Sequence, residues 1–370
     1  MKKILLITRP IAPPWDEASK NFAYTLAKKL DIFEIYLLTN GFLPDLPPHI
    51  HQKPIYTSNQ LSYLQKARLL KLRSLLQKND FDILHYMLTP AKLNAFSFKT
   101  FIKPGRAKII QTVATLREDL YSEKEIKNFL FGDLIVTYSD YAKNKLNSLG
   151  FANVKRIYPG IDLEEYKKTE KNADLMKQKN IAQSDFVINF TGEYTRLGAI
   201  DLVIDSFIEI VKIIPEAKLA LAARIKNSAD DRKKKEVLEK LKKHDLLERV
   251  SFFDDGSYQM PDVYNLCDLS LFPVSDMKGK FDIPLAVIEA MACEKPVIIS
   301  NLPILSEIAR PDNSVIIEKG NIQELIRAVL DLYRDQEKRN RMGSAARSFV
   351  KTNFDIEKIA EIYSRIYAKL

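Results

Sequence analysis

At 370 residues the chain is too long for one ordinary hydrophobic core, and 46% hydrophobic with 10% aromatic residues describes a folded globular protein, not a disordered or fibrous one. Basic side chains exceed acidic ones by nine, all in the first half: residues 1–170 hold 26 Lys and Arg against 17 Asp and Glu, and residues 171–370 hold 31 of each. No stretch approaches the ~20 apolar residues of a membrane span, and the apolar run at the start stops at Thr8, Arg9 and Pro10, too early for a secretory signal.

Short runs rich in Ile, Val and Leu then alternate with helical spacing. Strands are predicted at Lys3–Thr8, Phe33–Thr39, Asp82–Met87, Lys108–Val113, Asp133–Tyr138 and Val154–Tyr158, with helices such as Glu17–Leu30 and Tyr141–Leu149 between them. A second series follows at Phe186–Thr191, Lys218–Ala222, Val250–Phe253, Leu269–Phe272, Pro296–Ser300 and Ser314–Ile317. Such alternation predicts parallel sheets with helical crossovers. The polar segment from Gly160 to Asp185 lacks a strong apolar period and should hold the domain boundary. The expected fold is therefore α/β, with two Rossmann-like doubly wound domains facing a cleft. They span residues 1–165 and 166–352, and residues 353–370 form a C-terminal helix returning to the first domain.

The basic excess focuses on Leu61–Lys78, LSYLQKARLLKLRSLLQK, which contains no acid. Leu61, Leu64, Leu69, Leu72, Leu75 and Leu76 share one helical face, and Lys66, Lys71, Arg73 and Lys78 lie off it. The pattern suits a core-packed helix with a solvated back, and equally a surface that docks on anionic lipid or captures a phosphate-bearing acceptor. Cys267 and Cys293 lie in apolar segments, as reduced buried thiols of a cytosolic protein would. Neither they nor the four histidines show metal-ligand spacing, and no metal or cofactor is expected.

Parallel sheets bind ligands outside the carboxyl ends of their strands. No Gly-x-Gly-x-x-Gly and no Walker A loop occurs there, which argues against a nicotinamide dinucleotide. The one Asp-x-Asp, Asp80 to Asp82, sits where a helix ends and a strand begins and reads as capping chemistry. The most informative stretch is KFDIPLAVIEAMACEKPVIISNLPILSEI, Lys280 to Ile308. It places one carboxylate, Glu289, amid Leu285, Ile288, Met291 and Ala292. A buried carboxylate needs a partner, and the hydroxyls of a sugar or ribose are as suitable as a structural Lys or Arg.

This segment resembles the donor signature of family 4 glycosyltransferases with the GT-B fold. The likeness extends to DILHY at Asp82–Tyr86, to Asp133–Tyr166 and to FTGEYTRLGAIDLVIDSF. It implies transfer of a sugar from a nucleotide donor, with retention and without an essential metal, the donor in the second domain and the acceptor in the first. Of the family's two glutamates eight positions apart, Glu289 matches the second, while Phe281 stands at the first and Asp282 is its neighbour and substitute. The family's diphosphate-binding Arg and Lys fall on Glu193 and Leu197, so Arg196 is nominated first and Arg224 second. Ala114 stands where many members have a histidine.

The resemblance also brings Gly192, Leu285 and the turn Asn301, Leu302, Pro303 and Ile304 to the donor, the turn through its backbone amides. His85, at a strand's carboxyl end, reads either as a catalytic contact to sugar or phosphate or as a packing histidine. Asp16 precedes a helix and could cap it, or touch the acceptor together with Trp15 and Lys20. Glu307 reads as a sugar contact or as a first-turn carboxylate. The expected partners are a nucleotide sugar, a glycan or lipid-linked acceptor and an anionic membrane surface, with no nucleic acid. The protein is expected in the cytoplasm, peripheral on the inner face of the membrane. The rival readings are a non-catalytic glycan- or nucleotide-binding protein on the same fold, and a sugar-nucleotide epimerase or phosphorylase.

Overall fold

The structure, a computed structural model, describes residues 1–13, 15, 17–44, 46–57, 66–256 and 258–370, with the side chains at 66 and 67 outside the description. Seven described strands form one sheet: β1 Lys3–Ile11, β2 Glu34–Thr39, β3 Ile50–Lys53, β4 Ile83–Tyr86, β5 Lys108–Val113, β6 Leu134–Thr137 and β7 Val154–Arg156. Six form another: β8 Phe186–Glu193, β9 Ala217–Arg224, β10 Val250–Phe252, β11 Leu269–Phe272, β12 Val297–Ser300 and β13 Ser314–Ile317. Every strand pair is parallel. β4, β6, β11 and β12 are buried along their whole length, as parallel strands covered on both faces are, which is why they read as mainly apolar runs.

The strand orders are 3-2-1-4-5-6-7 and 10-9-8-11-12-13. In each sheet the chain winds outward from a central strand and then crosses to start the other wing, so the order reverses between β1 and β4 and between β8 and β11. Those switch points are where open parallel sheets leave a crevice for ligands. The expected doubly wound α/β architecture is thus present in both sheets. β3 was not expected: its four residues, IHQK, are polar after Ile50 and three are only half-buried.

The chain divides into two compact units, residues 1–162 with 278–283 and 354–370, and residues 163–277 with 284–353. In the first, the helix Ile356–Lys369 is held to the amino-terminal strand and helix. Lys2 Nζ donates to the Tyr367 carbonyl at 3.0 Å and Lys29 Nζ pairs with Glu357 at 2.5 Å. Tyr363 and Tyr367 are buried against Phe22 and Phe33. In the second, the helix Gln336–Asn353 packs on Leu285–Ala292 closely enough that a Cβ at Gly343 would fall 2.2 Å from the Glu294 carbonyl oxygen. No helix among the described residues is long and apolar enough to cross a membrane. Cys267 and Cys293 are free thiols, both pushed up to about 12 by burial.

Candidate functional site

At the second switch point β8 ends on Glu193 and β9 on Arg224, and the register sets these two residues opposite one another. Arg224 Nη2 donates to Glu193 Oε1 at 2.8 Å; Lys226 Nζ lies 3.5 Å from the same oxygen, and Arg196 Nη1 lies 3.9 Å from Oε2. The Glu193 side chain is 4% exposed and the three cations 30–39%. One buried carboxylate beneath three half-exposed cations leaves these four residues with an excess of positive charge toward solvent. Such an arrangement suits a dianion, because the cations are already gathered and oriented before it arrives.

Asp230 fixes the loops that carry them. Its buried carboxylate accepts from the Thr195 amide at 3.1 Å, from the Thr195 hydroxyl at 2.5 Å and from the Lys226 amide at 3.0 Å. Burial works against its charge, yet these hydrogen bonds hold its carboxyl below the ordinary range. Between Arg196 and the next helix the backbone turns through two left-handed residues, Leu197 at φ 68 and Gly198 at φ 64. Leucine adopts that conformation at a cost of about 1–2 kcal/mol. The turn is clamped by the loop after β11: the Ser275 amide donates to the Leu197 carbonyl at 2.8 Å and Ser275 Oγ to Gly198 at 3.3 Å.

Glu289 lies on the helix Leu285–Ala292, with Leu285, Val287, Ile288 and Met291 buried around it. The partner it needs within the fold is Tyr264, whose hydroxyl donates to Oε2 at 3.0 Å. Desolvation by this surround pushes the Glu289 carboxyl up to about 7, against the Tyr264 hydrogen bond and the field of Arg224, which pull it down. The side chain nevertheless keeps partial exposure. A carboxyl poised between forms accepts a ligand hydroxyl once ionised.

The turn after β12 differs from expectation in its amides. The Asn301 amide donates to the Ile317 carbonyl at 2.7 Å, that of Leu302 to Ser300 at 2.9 Å and that of Leu305 to Leu302 at 2.9 Å, while Pro303 has none. The amides of Asn301 and Leu302 extend sheet and turn pairing, so the expected phosphate contacts from Asn301, Leu302 and Pro303 are corrected; Ile304, half-buried in the 3-10 turn Pro303–Glu307, presents a side chain. Asn301 Nδ2 binds Glu318 at 2.8 Å. Gly192 lies under the Phe190 ring, where a Cβ would approach to 2.9 Å.

In the first unit two expected catalytic residues are spent on the fold. His85 is fully buried; Nδ1 meets the Tyr367 hydroxyl at 2.6 Å and Nε2 the Thr112 hydroxyl at 2.7 Å. Burial lowers its pKa to about 3, so the ring is neutral. The catalytic reading of His85 is corrected to the packing one. Asp282 is 3% exposed; its amide donates to the Ala114 carbonyl at 3.0 Å, and its Oδ2 accepts from Ser139 Oγ at 2.5 Å, the hydroxyl that caps the helix Asp140–Ser148. Phe281 packs on Tyr138 with ring centroids 5.1 Å apart. Asp282 therefore substitutes for no open sugar-facing carboxylate in this conformation.

Trp15, 41% exposed, stacks on Tyr24 at 4.5 Å, with Lys20 Nζ 5.8 Å from its ring; Asp16 lies outside the described residues. The basic helix is described over Lys66–Lys78. Leu72 is buried and Leu69, Leu75 and Leu76 half-buried, while Lys71, Arg73 and Lys78 are exposed; Leu61, Leu64 and the Lys66 side chain lie outside the description. Sequence reasoning missed Lys226, Asp230 and Tyr264. The Arg224-x-Lys226 spacing at a strand's exit was a usable signal for the first; nothing local marks the other two.

Two doubly wound parallel sheets, one with a cation hub at its strand ends, define a two-sheet α/β protein of the Rossmann-like class. Residues 171–349 match the family of glycosyl transferases group 1. Over 352 residues, 90% of this chain and 88% of the relative, the sequence is 26% identical to N-acetyl-alpha-D-glucosaminyl L-malate synthase of Bacillus anthracis. The fold is similar to that of sucrose-phosphate synthase from Thermosynechococcus elongatus, with a TM-score of 0.80 at 18% identity, covering 100% of this chain and 99% of that one. It is also similar to Anabaena HepE in complex with UDP-glucose, with a TM-score of 0.78 at 17% identity and 100% of both chains covered. Residues 171–349 thus carry the signature of the group 1 glycosyl transferases, and the chain as a whole has the GT-B fold of its solved neighbours.

Proposed function

We propose that this protein moves a sugar from a nucleotide-sugar donor, bound in the second unit, to a glycan or lipid-linked acceptor bound in the first, with retention and without an essential metal. The observation that carries the reading is the set Arg224, Lys226 and Arg196 gathered on Glu193 at the switch point. These cations would stabilise the charge that grows on the departing nucleoside diphosphate, the step at which preorganised charge contributes most. Arg224 takes first place over Arg196 because it is held by a hydrogen bond on a strand. Glu289 would accept from a donor ribose hydroxyl beside Leu285. The relative from Bacillus anthracis is named for an N-acetyl-alpha-D-glucosaminyl product and HepE is seen with UDP-glucose, so a UDP-linked hexose is the donor class to try first. Trp15 and Lys20 would face the acceptor, and Lys71, Arg73 and Lys78 would meet an anionic membrane surface.

A second reading, a nucleotide-binding protein without transfer activity, is favoured by one observation: Phe281 packs in the place of the first glutamate and Asp282 is buried. Titration calorimetry with UDP, followed by assay of sugar release from UDP-hexoses, separates the two. UDP binding weakened tenfold or more by Arg224→Ala, together with turnover, supports transfer. Binding without turnover supports the second reading, and no UDP binding sinks both.

A further inference from the structure

The first unit contains a cavity of about 60 Å³ beneath the helices Lys66–Lys78 and Lys92–Phe101. That is several times the ~10–15 Å³ a single water needs. Its walls include Ile7 and Leu38 from β1 and β2, Tyr86 and Leu88 at the end of β4, and Leu72 and Phe98 from the two helices. It therefore lies between one face of the sheet, across β2, β1 and β4, and the two helices that cover that face. A largely apolar pocket with a few polar groups suits a ligand that is itself mostly apolar.

Three polar side chains, Arg68, Asn94 and Ser97, interrupt the lining. Arg68 is 7% exposed, with its guanidinium 4.6 Å from the Tyr56 ring centroid. Asn94 is 3% exposed; its Nδ2 donates to the Thr89 carbonyl at 2.7 Å, and its buried Oδ1 has no hydrogen-bond partner among the described residues. A buried acceptor without a donor is costly to keep, and a ligand hydroxyl would satisfy it. On their outward sides the same helices expose Leu70, Leu93, Phe96 and Phe101 alongside Lys71 and Arg73, the mixture of apolar and basic groups that meets amphiphiles.

We infer that this pocket binds an amphiphile by the junction of chain and head, the first carbons of the chain against the apolar lining and the head presenting a hydroxyl to Asn94 and an anionic oxygen to Arg68. The inference rests on the acceptor-side reading of the first unit and gives that acceptor a chemistry. The test is calorimetric titration of the full chain with decanoyl-glycerol 3-phosphate below its micelle concentration, against glycerol 3-phosphate, which lacks the chain, and monodecanoylglycerol, which lacks the anion. The complete amphiphile should bind at least tenfold tighter than either. Ser97→Phe, and Leu69→Trp as a second filling variant at the half-exposed rim, should erase the advantage of the chain while the unfolding temperature is kept. Arg68→Gln should erase the advantage of the phosphate. Equal binding of the chain-bearing and chain-free compounds, or a chain advantage that survives in both filled variants, overturns the site; a phosphate advantage undiminished in Arg68→Gln overturns the role of the anion. UDP titrated into the same samples reports the second unit separately, so failure there leaves this result standing and refutes only the donor reading.

Discussion

The switch points of the two sheets are built from opposite materials. In the second unit charge gathers around the strand ends: Glu193 ends β8 beneath three cations, and the helices Ser228–Lys243 and Leu285–Ala292 bring Asp230 and Glu289, the latter raised to about 7. In the first unit they end in apolar surface, and the titratable groups nearby, His85 and Asp282, are buried with hydrogen bonds made. Backbone strain divides the same way. Among the described residues, the positive-φ positions that are neither Gly, Asn nor Asp are Leu197 and Glu294, both in the second unit. A unit that keeps polar groups poised and backbone strained is equipped to hold a charged ligand. The first unit satisfies the titratable groups at its strand ends internally and leaves a neutral acceptor, Asn94, for a largely apolar ligand.

The sharpest way to break this contrast is at His85. His85→Ala removes a fully buried ring and orphans the Tyr367 and Thr112 hydroxyls, so a loss of about 3–4 kcal/mol is expected in urea unfolding. Its folded pKa of about 3 lies below the ordinary value of 6.5. The stabilisation it gives is therefore complete above pH 6.5 and is lost as pH falls toward 3, on the order of 4 kcal/mol in all. A His85→Ala protein that kept its stability but lost sugar transfer would return His85 to the reacting centre and erase the contrast.

Glu289 should show the reverse slope. Its folded pKa of about 7 lies above the ordinary value of 4.5, so its contribution to stability is present below pH 4.5 and is lost as pH rises to 7, by about 2–3 kcal/mol. Glu289→Gln should flatten that limb of the stability profile. A ribose hydroxyl accepted by the ionised carboxylate would also make UDP binding release a proton near neutral pH. Calorimetry in two buffers of different ionisation enthalpy reads this directly, and no proton release would detach Glu289 from the ligand.

How much of this was legible follows the range of the interactions. Mainly apolar runs announced β4, β6, β11 and β12 because burial on both faces is a local demand. β3 escaped because its short, polar IHQK is an edge strand that needs only its neighbour's backbone. The positive hub was half legible: Arg196 and Arg224 were named, but the carboxylate that gathers them stood in a position where a cation was sought. His85 sits in the run DILHY, which has the same period whether the ring points at a ligand or at Tyr367, 282 residues away. Asp282 depends likewise on Ser139, 143 residues earlier. Roles fixed by such distant partners leave no trace in spacing.

Within the charged hub the two arginines should separate by their restraint. Arg224→Ala removes a guanidinium held at 2.8 Å on a strand and should weaken UDP binding by about 1.5–3 kcal/mol. Arg196, 3.9 Å from Glu193 on a loop, must be ordered by the ligand, and its loss should cost about 1 kcal/mol or less. Equal losses would mean that the Glu193 contact does not preorganise the site.

The smallest effect concerns the strain beside that loop. Leu197 sits at φ 68 with its carbonyl accepting from the Ser275 amide, and its side chain is half-exposed, so little burial is lost on replacement. Asparagine tolerates the left-handed region far better. Leu197→Asn should therefore raise stability by about 0.5–1 kcal/mol, a shift of a few degrees at most in a chain of this size. If the strain serves only to thread the loop past Ser275, UDP affinity will stay within about twofold while the melting temperature rises. If the leucine is strained so that Arg196 can move onto a diphosphate, the stabilised variant will bind UDP more weakly, and the double substitution with Arg196→Ala will show no further loss, since both changes would then act through one contact.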